Sequence, residues 1–454
     1  MNLECIKKSI LKKIKPSKKE EESVNVITHK TMDILEDMGY EAVVVGSTGK
    51  HTWLSGDHDI DIFVLFPKDV SREQLEEKGL EIGKEIAKRL KGKSLVKYAE
   101  HPYTQVHVNK FDIDIVPCYK IEKGEKIISA VDRSPLHLKY VLEKLSPEQR
   151  DEVRLLKQFM KGIGVYGSDV KHLGFSGYVC ELLIIKYGTF ENVLKEIDKW
   201  NVPQIVDMDH HFVRSLQGAL FISDPIDHQR NVSAAVNAEN LVKIISCARK
   251  FLKNFDDKMF FEKVKPLSSS EISLLNKRES YFLALESKRP DVINDTLFPQ
   301  LRKATHRLKI LLKEEDFIVL RSLEYADNKN ITVVIELSSG ILPGIRQMIG
   351  PPISSKFHTS EFLSKYTKVD FGPFIIEDRW AAEVKRKYRN PELLLKDFLK
   401  NSEDNLIVKG VPKHVVKPIK SSKIFSGKSL WKLVKKNKLL SDFVRKEYFE
   451  KIEL

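Results

Sequence analysis

The chain has 454 residues, 42% of them hydrophobic and 31% charged, a balance that excludes a disordered or fibrous polymer and asks for about two to four separately cored domains. Lys and Arg outnumber Asp and Glu by 77 to 64, and the formal charge of +13 favours polyanionic partners, nucleic acid first among them. No apolar run reaches membrane-spanning length, the N-terminus is too charged for a secretory signal, and Cys5, Cys118, Cys180 and Cys247 form no CxxC pair, so neither a zinc site nor a disulfide framework follows, and the expectation is a reduced, cytoplasmic protein with buried thiols.

Residues 1–40 read as helices, with Ile10, Leu11 and Ile14 and then Val24, Ile27, Met32 and Leu35 at helical spacing. EAVVVGS at 41–47 reads as a short buried strand ending in a Gly46-Ser47 turn. DIDIFVLF at 59–66 has the period-two alternation of a strand. SREQLEEKGLEIGKEIAKRL at 71–90 is an amphipathic helix opened by Ser71 and Gln74, a capping-box pair. QVHVNKFDIDIVPCY at 105–119 reads as two strands joined by a tight Asn-Lys turn.

From residue 146 the chain turns helical. Ser146, Pro147 and Gln149 mark one helix start. FSGYVCELLIIKYG at 175–188 is apolar nearly all round, so it reads as a helix buried between others. Beyond 265, FIVLRSLEY and ITVVIELSS read as strands and DRWAAEVKRKYRNPELLLKDFLK as one or two helices. The last fifty residues are dense in lysine, with Trp431 and Phe443 interleaved. The pattern predicts a multidomain α+β protein: an N-terminal mixed sheet with flanking helices, a central helical domain and a C-terminal α/β tail.

The chemistry concentrates around the first strands. Asp59 and Asp61, at i and i+2, project from one face of a strand while Ile60, Ile62 and Val64 point into a core. Two carboxylates held so close repel unless a divalent cation neutralises them, and two metal ions are the usual solution for nucleotidyl transfer. The preceding Gly46-Ser47 turn, followed by a helix, offers backbone N–H groups and a hydroxyl to a triphosphate. A third carboxylate is expected on an adjacent strand; Asp112 and Asp114 both qualify, and spacing alone does not choose between them. Lys157 lies on the edge of an apolar stripe, where a lysine either snorkels outward or meets an anion. Taken alone, Tyr166 reads as a core tyrosine and His137 as a surface histidine.

With these segments in view, the sequence resembles the archaeal, class I CCA-adding enzymes of the polymerase-beta nucleotidyltransferase superfamily. The resemblance rests on VVVGSTGKHTWLSGDHDIDIFVLF, YAEHPY, DIDIVPCYK, SAVDRSPLHLKY, EVRLLKQFMKGIGVYGSD, GFSGYVCELLIIKYG and DPIDHQRNV, which span most of the first 235 residues in the family's order. It continues more weakly through GPP at 350–352, GPFI at 372–375 and the following DRW.

The resemblance implies that Asp59, Asp61 and Asp114, rather than Asp112, hold two Mg2+ ions, with Mn2+ as an alternative. It implies that Gly46, Ser47 and Lys50 meet the nucleotide phosphates, Lys50 standing where relatives commonly carry arginine and so losing the bidentate fork. His137, Lys157 and Tyr166 match residues that touch the triphosphate or sugar, and Arg230 matches a base-recognising arginine. The implied reaction is attack of the tRNA 3′-hydroxyl on the α-phosphate of CTP or ATP, without a nucleic-acid template. The implied partners are the tRNA acceptor end, read as an A-form stem, and a second copy of the chain in a homodimer. The implied domains are a catalytic head at 1–142, a helical nucleotide-binding neck at 143–260 and a tRNA-binding body and tail at 261–454, with RNA contact along the lysines of 413–439. A poly(A) polymerase-like transferase shares the Gly-Ser and D-x-D parts, and a non-catalytic RNA-binding protein is the rival of a different class.

Overall fold

The structure is a computed structural model that describes residues 2–98, 100–208 and 218–450, and Ala99 of the YAEHPY segment lies outside the described residues. The chain divides into two compact units, residues 1–263 and 264–450.

The N-terminal unit begins with two helices, α1 (Leu3–Ile14) and α2 (Lys18–Asp37), the second opened by a Ser17/Glu20 capping box. They serve different cores. Val24, Ile27 and Leu35 of α2 pack against the sheet, whereas Leu3, Ile6, Ile10 and Ile14 of α1 join the helical core. The sheet is built from β1 (Ala42–Val44), β2 (Asp59–Phe66), β3 (Lys93–Tyr98), β4 (Pro102–Val108) and β5 (Phe111–Tyr119), in the order β1-β2-β5-β4-β3. Only β2 and β5 run parallel, so the sheet is mixed as expected. β1 is half-buried rather than buried, because as an edge strand it packs beside β2 alone. β3, which has no clear strand pattern, is the opposite edge, with Leu95 and Tyr98 turned to solvent.

The two faces of β2 have different fates. Ile60, Ile62, Val64 and Phe66 pack beneath α2 and α4 (Arg72–Arg89), after the four-residue α3 (Gly46–Gly49) that follows β1. On the other face Phe63 joins Val45, Val116, Cys118 and Leu138 in a smaller core under α5 (Arg133–Lys144). Asp59 and Asp61 occupy the open end of that second face. α6 (Pro147–Gly162), α7 (Gly177–Tyr187), α8 (Phe190–Ile197) and α9 (Ala238–Asn254) then form the helical part. Its centre is a cluster of Phe159, Phe190, Phe251 and Phe260 with ring centroids 5.4–5.7 Å apart. Short strands β6 (Gln204–Val206) and β7 (Leu220–Ile222) pair in parallel at its side.

The C-terminal unit opens with α10 (Ser269–Asn276) and carries two sheets. The first joins β8 (Tyr281–Lys288), β9 (Val319–Ala326) and β10 (Asn330–Leu337) to β14 (Lys423–Ser426), with α11 (Asn294–Glu314) packed on β9. The second is β11 (Ile345–Pro352), β13 (Arg379–Lys385) and β12 (Phe371–Ile376), with α12 (Lys356–Lys365) against β11. DRWAAEVK is therefore the central strand β13, not a helix. Its Ala, Glu and Lys favour helix, but pairing on both sides with β11 and β12 overrides that weak local preference. Helix resumes at α13 (Pro391–Leu399) and continues through α14 (Glu403–Val408), α15 (Lys413–Lys420), α16 (Gly427–Lys436) and α17 (Lys438–Phe449). The aromatic residues between the terminal lysines belong to the core: Trp431 packs on Phe282 at 5.2 Å and Phe443 on Tyr325 at 5.5 Å. Lys413, Lys417, Lys423, Lys428, Lys432 and Lys435 face solvent. Cys118 and Cys180 are buried as expected, but Cys5 is exposed, on the outer side of α1.

Candidate active site

The parallel register of β2 and β5 sets Asp59 opposite Asp112 and Asp61 opposite Asp114. The two candidates on β5 are held differently. Asp112 accepts from His107 Nδ1 at 2.8 Å on an exposed cross-strand pair, whereas Asp114 is half-buried and accepts from Gln105 Nε2 at 2.8 Å. Burial, then the charges of Asp114 and Asp59, push the Asp61 carboxyl up to about 6, against a smaller opposing pull from Lys50. Burial also raises Asp59 and Asp114 above the ordinary carboxylate range. For all three carboxyls burial is the largest cause, and the charges of neighbouring carboxylates add to it.

Gly46 closes the edge. It has φ +63°, and a Cβ built on it would lie 1.9 Å from Asp61 Oδ2, so only glycine lets the turn and the carboxylate share this space. The turn is braced by Val45 N–H donating to Asp61 O at 2.8 Å and by the Thr48 hydroxyl donating to Asp59 O at 3.0 Å. Ser47 stands half-buried on the first turn of α3. The donors are hard carboxylate oxygens with unbalanced charge, which fits Mg2+ or Mn2+. Among the described residues, no three His, Cys, Asp or Glu groups already converge as a metal cage.

Behind the turn lies a buried ion network. Lys50 Nζ is 2.8 Å from Glu181 Oε2 and Lys157 Nζ is 3.1 Å from Glu181 Oε1. Thr52 Oγ1 donates to Glu181 Oε1 at 2.6 Å and accepts from Lys157 Nζ at 2.9 Å. Lys157 is 2% exposed, so it does not snorkel; the anion it meets is a protein carboxylate. Burial would raise the Glu181 carboxyl, but the Lys50 and Lys157 charges outweigh it and hold it at about 2. Tyr166 is close by: a Cβ on Gly177 would lie 3.1 Å from the Tyr166 hydroxyl and 3.3 Å from Lys157 Nζ. Arg154, also buried, fixes the intervening loop by donating to the carbonyls of His51 and Trp53 at 2.6 and 3.0 Å.

A second network holds the other two expected contacts. His137, buried rather than on the surface, donates from Nε2 to Asp224 at 2.9 Å, and Arg230 Nη1 donates to the same carboxylate at 2.8 Å. Burial opposes ionisation of Asp224, yet His137 and Arg230 outweigh it and keep its carboxyl at about 2. Tyr178 joins the networks. Its ring stacks on His137 at 4.1 Å and lies 4.7 Å beneath the Lys50 ammonium. Sequence reasoning missed Thr52, Tyr178, Glu181 and Asp224. Glu181 had a signal: it is the one acidic residue in a helix that is apolar around it, and such a charge must have partners.

A mixed sheet presenting paired carboxylates beside a Gly-Ser turn, with buried cations behind it, defines a nucleotidyltransferase. Family models agree along the chain: a nucleotidyltransferase domain at residues 29–137, the second domain of tRNA nucleotidyltransferase at 151–262, and the C-terminal domain of CCA-adding enzyme at 278–427. The CCA-adding enzyme of Methanocaldococcus jannaschii is 39% identical over 91% of this chain and 94% of that one. The CCA-adding enzyme of Methanosarcina barkeri is 40% identical over 87% of this chain and 89% of that one. The chain belongs to the CCA-adding enzymes, the tRNA nucleotidyltransferases that such sequences define. Nucleotidyltransferases of this superfamily generally work with divalent metal ions. No described helix is long and apolar enough to cross a membrane.

Proposed function

We propose that this chain adds C, C and A in turn to the 3′ end of tRNA, using CTP and ATP without a template and releasing pyrophosphate. The observation that carries this reading is the β2–β5 register, which sets Asp61 beside Asp114 and both near Asp59 at the Gly46 turn. Asp59 and Asp61 would hold two Mg2+ ions, with Asp114 sharing the one nearer the tRNA hydroxyl. Those ions, when bound, supply positive charge to the attacking and leaving oxygens. Gly46 and Ser47 would present a backbone N–H and a hydroxyl to the triphosphate. Lys50 and Lys157 would offset its charge, Tyr166 and His137 would border triphosphate or sugar, and Arg230 would meet the base. The raised proton affinity of Asp61 supports a cation at this edge, because an acid that resists ionisation alone ionises readily beside one.

The proposed division of labour is a head at 1–142, a neck at 143–260 and a tRNA-binding body and tail from 261. The solvent-facing lysines of α15 and α16 suit the phosphates of an A-form acceptor stem, a contact that weakens with salt. The proposed assembly is a cytoplasmic homodimer, which light scattering on the purified protein tests. The experiment for the activity presents each nucleotide singly to three tRNA transcripts, ending before the first C, after one C and after two. CTP extending the first two and ATP only the third supports the reading. Repeated AMP addition to all three makes the chain a poly(A)-type transferase instead.

A further inference from the structure

Glu181 is 1% exposed in a helix whose neighbouring positions, Val179, Cys180, Leu182, Leu183 and Ile184, are all apolar and buried. A leucine or methionine there would fill space without the desolvation that a carboxylate suffers, so the charge is not explained by packing. Its geometry is specific. Each oxygen takes one ammonium: Oε2 takes Lys50 at 2.8 Å, and Oε1 takes Lys157 at 3.1 Å. The Thr52 hydroxyl closes the ring between Oε1 and Lys157. The two lysines come from different elements, the end of the α3 turn and the middle of α6, and Glu181 is the carboxylate that both meet. The group carries two positive charges against one negative, a surplus of one. Lys50 also connects to the Gly46 turn, its N–H donating to Gly46 O at 3.3 Å.

We propose that Glu181 is a positioning residue for nucleotide binding: it fixes Lys50 and Lys157 as one paired cation of set spacing behind the Gly46 turn, without itself touching the substrate. The inference rests on the proposed role of the two lysines toward the triphosphate. It has a consequence that simple structural support lacks. The triphosphate is common to CTP and ATP, so disturbing the pair affects both nucleotides by the same factor. Binding suffers more than chemistry, because the carboxylate edge on β2 and β5 is untouched.

The test is Glu181→Gln, which keeps shape and removes charge. One face of the carboxamide is an NH2 group that cannot accept from an ammonium, so one lysine must turn away. The expected result on tRNA lacking its CCA end is a KM for CTP and for ATP raised about tenfold or more by matching factors, with kcat within about threefold of wild type. Inorganic tripolyphosphate, used as a competitive inhibitor, loses potency by the same factor. Glu181→Asp retains the charge but is one methylene too short to reach both lysines, and it carries the test if the glutamine variant does not fold; an intermediate KM is expected. Unchanged KM values, an effect on one nucleotide only, or a loss confined to kcat overturns the proposal. A wild-type protein that extends no tRNA overturns the underlying reading as well, whereas an active wild type with indistinguishable variants removes this inference alone.

Discussion

Replacing Gly46 by alanine should damage catalysis far more than folding, and the structure gives the size of both effects. At φ +63° an alanine is in the left-handed region, which costs about 1–2 kcal/mol. Its Cβ would stand 1.9 Å from Asp61 Oδ2, 2.9 Å from Cγ and 3.3 Å from Cβ. Restoring ordinary contact requires the carboxylate tip to withdraw by roughly 1.5 Å. A side-chain tip can do this, so the fold survives with a melting temperature lowered by about 2–8 °C. The displaced group, however, is the central member of the proposed metal site, and misplacing a reacting group by about 1 Å costs on the order of 100-fold. Single-turnover incorporation of labelled CMP into a tRNA lacking its CCA end should therefore slow by about that factor, while tRNA binding in a filter assay stays the same. Gly49→Ala is the control: its Cβ would meet the Val44 carbonyl oxygen at 2.2 Å, a backbone atom that cannot swing aside, so it should lose folded protein rather than activity per folded molecule. A folded Gly46→Ala enzyme working within about threefold of wild type would refute the placement of Asp61 at the reacting centre.

Three further outcomes follow from the same geometry. Asp114→Asn should abolish incorporation, whereas Asp112→Asn, which only loses the exposed His107 pair, should keep activity within about threefold; the reverse pattern would reassign the third ligand. Asp224→Asn removes the carboxylate that accepts from both His137 and Arg230, so the kcat/KM preference for CTP over UTP should shrink by about tenfold, and an unaltered preference would detach Arg230 from base choice. Glu181 and Asp224 sit at about 2 against ordinary values of 4.5 and 3.8. A depressed carboxyl contributes stability that is fully present above its unfolded value and is lost as pH falls toward its folded value. The N-terminal unit should therefore lose melting temperature between about pH 5 and pH 2, with Glu181 alone accounting for on the order of 3 kcal/mol. Glu181→Gln should flatten that acid limb, and a limb of equal slope in both proteins would contradict the ionised state assigned to Glu181.

Much of the carboxylate edge was legible because a strand writes its two faces into alternate positions. Asp59 and Asp61 against Ile60 and Ile62 announce a polar edge on a buried strand, and Ser71/Gln74 and Ser146/Gln149 announce helix starts that the structure reproduces as capping boxes. What no single segment contains is register. The choice between Asp112 and Asp114 became a geometric one only when β5 lay parallel to β2 and His107 stood across from Asp112. The partners of Lys157 were hidden for the same reason, since Thr52 and Glu181 are 105 and 24 residues away in the chain. The β13 segment misled because Arg379–Lys385 is rich in helix-forming residues, and its strand state comes from two neighbours distant in sequence. Trp431 and Phe443 are interleaved with lysines in the sequence, but helices α16 and α17 are amphipathic, and the aromatic side of each is the core side.

Asp59, Asp61 and Asp114 are proposed as the centre that builds a CCA end. The most direct measurement incubates a tRNA transcript lacking that end with magnesium, CTP and ATP, and sequences the product from wild-type protein and from Asp61→Ala. Growth by C, C and A and then arrest is expected in the wild type, with no extension by a variant that still binds tRNA. Extension by Asp61→Ala at the wild-type rate, or a wild-type product of any other sequence, would contradict that assignment.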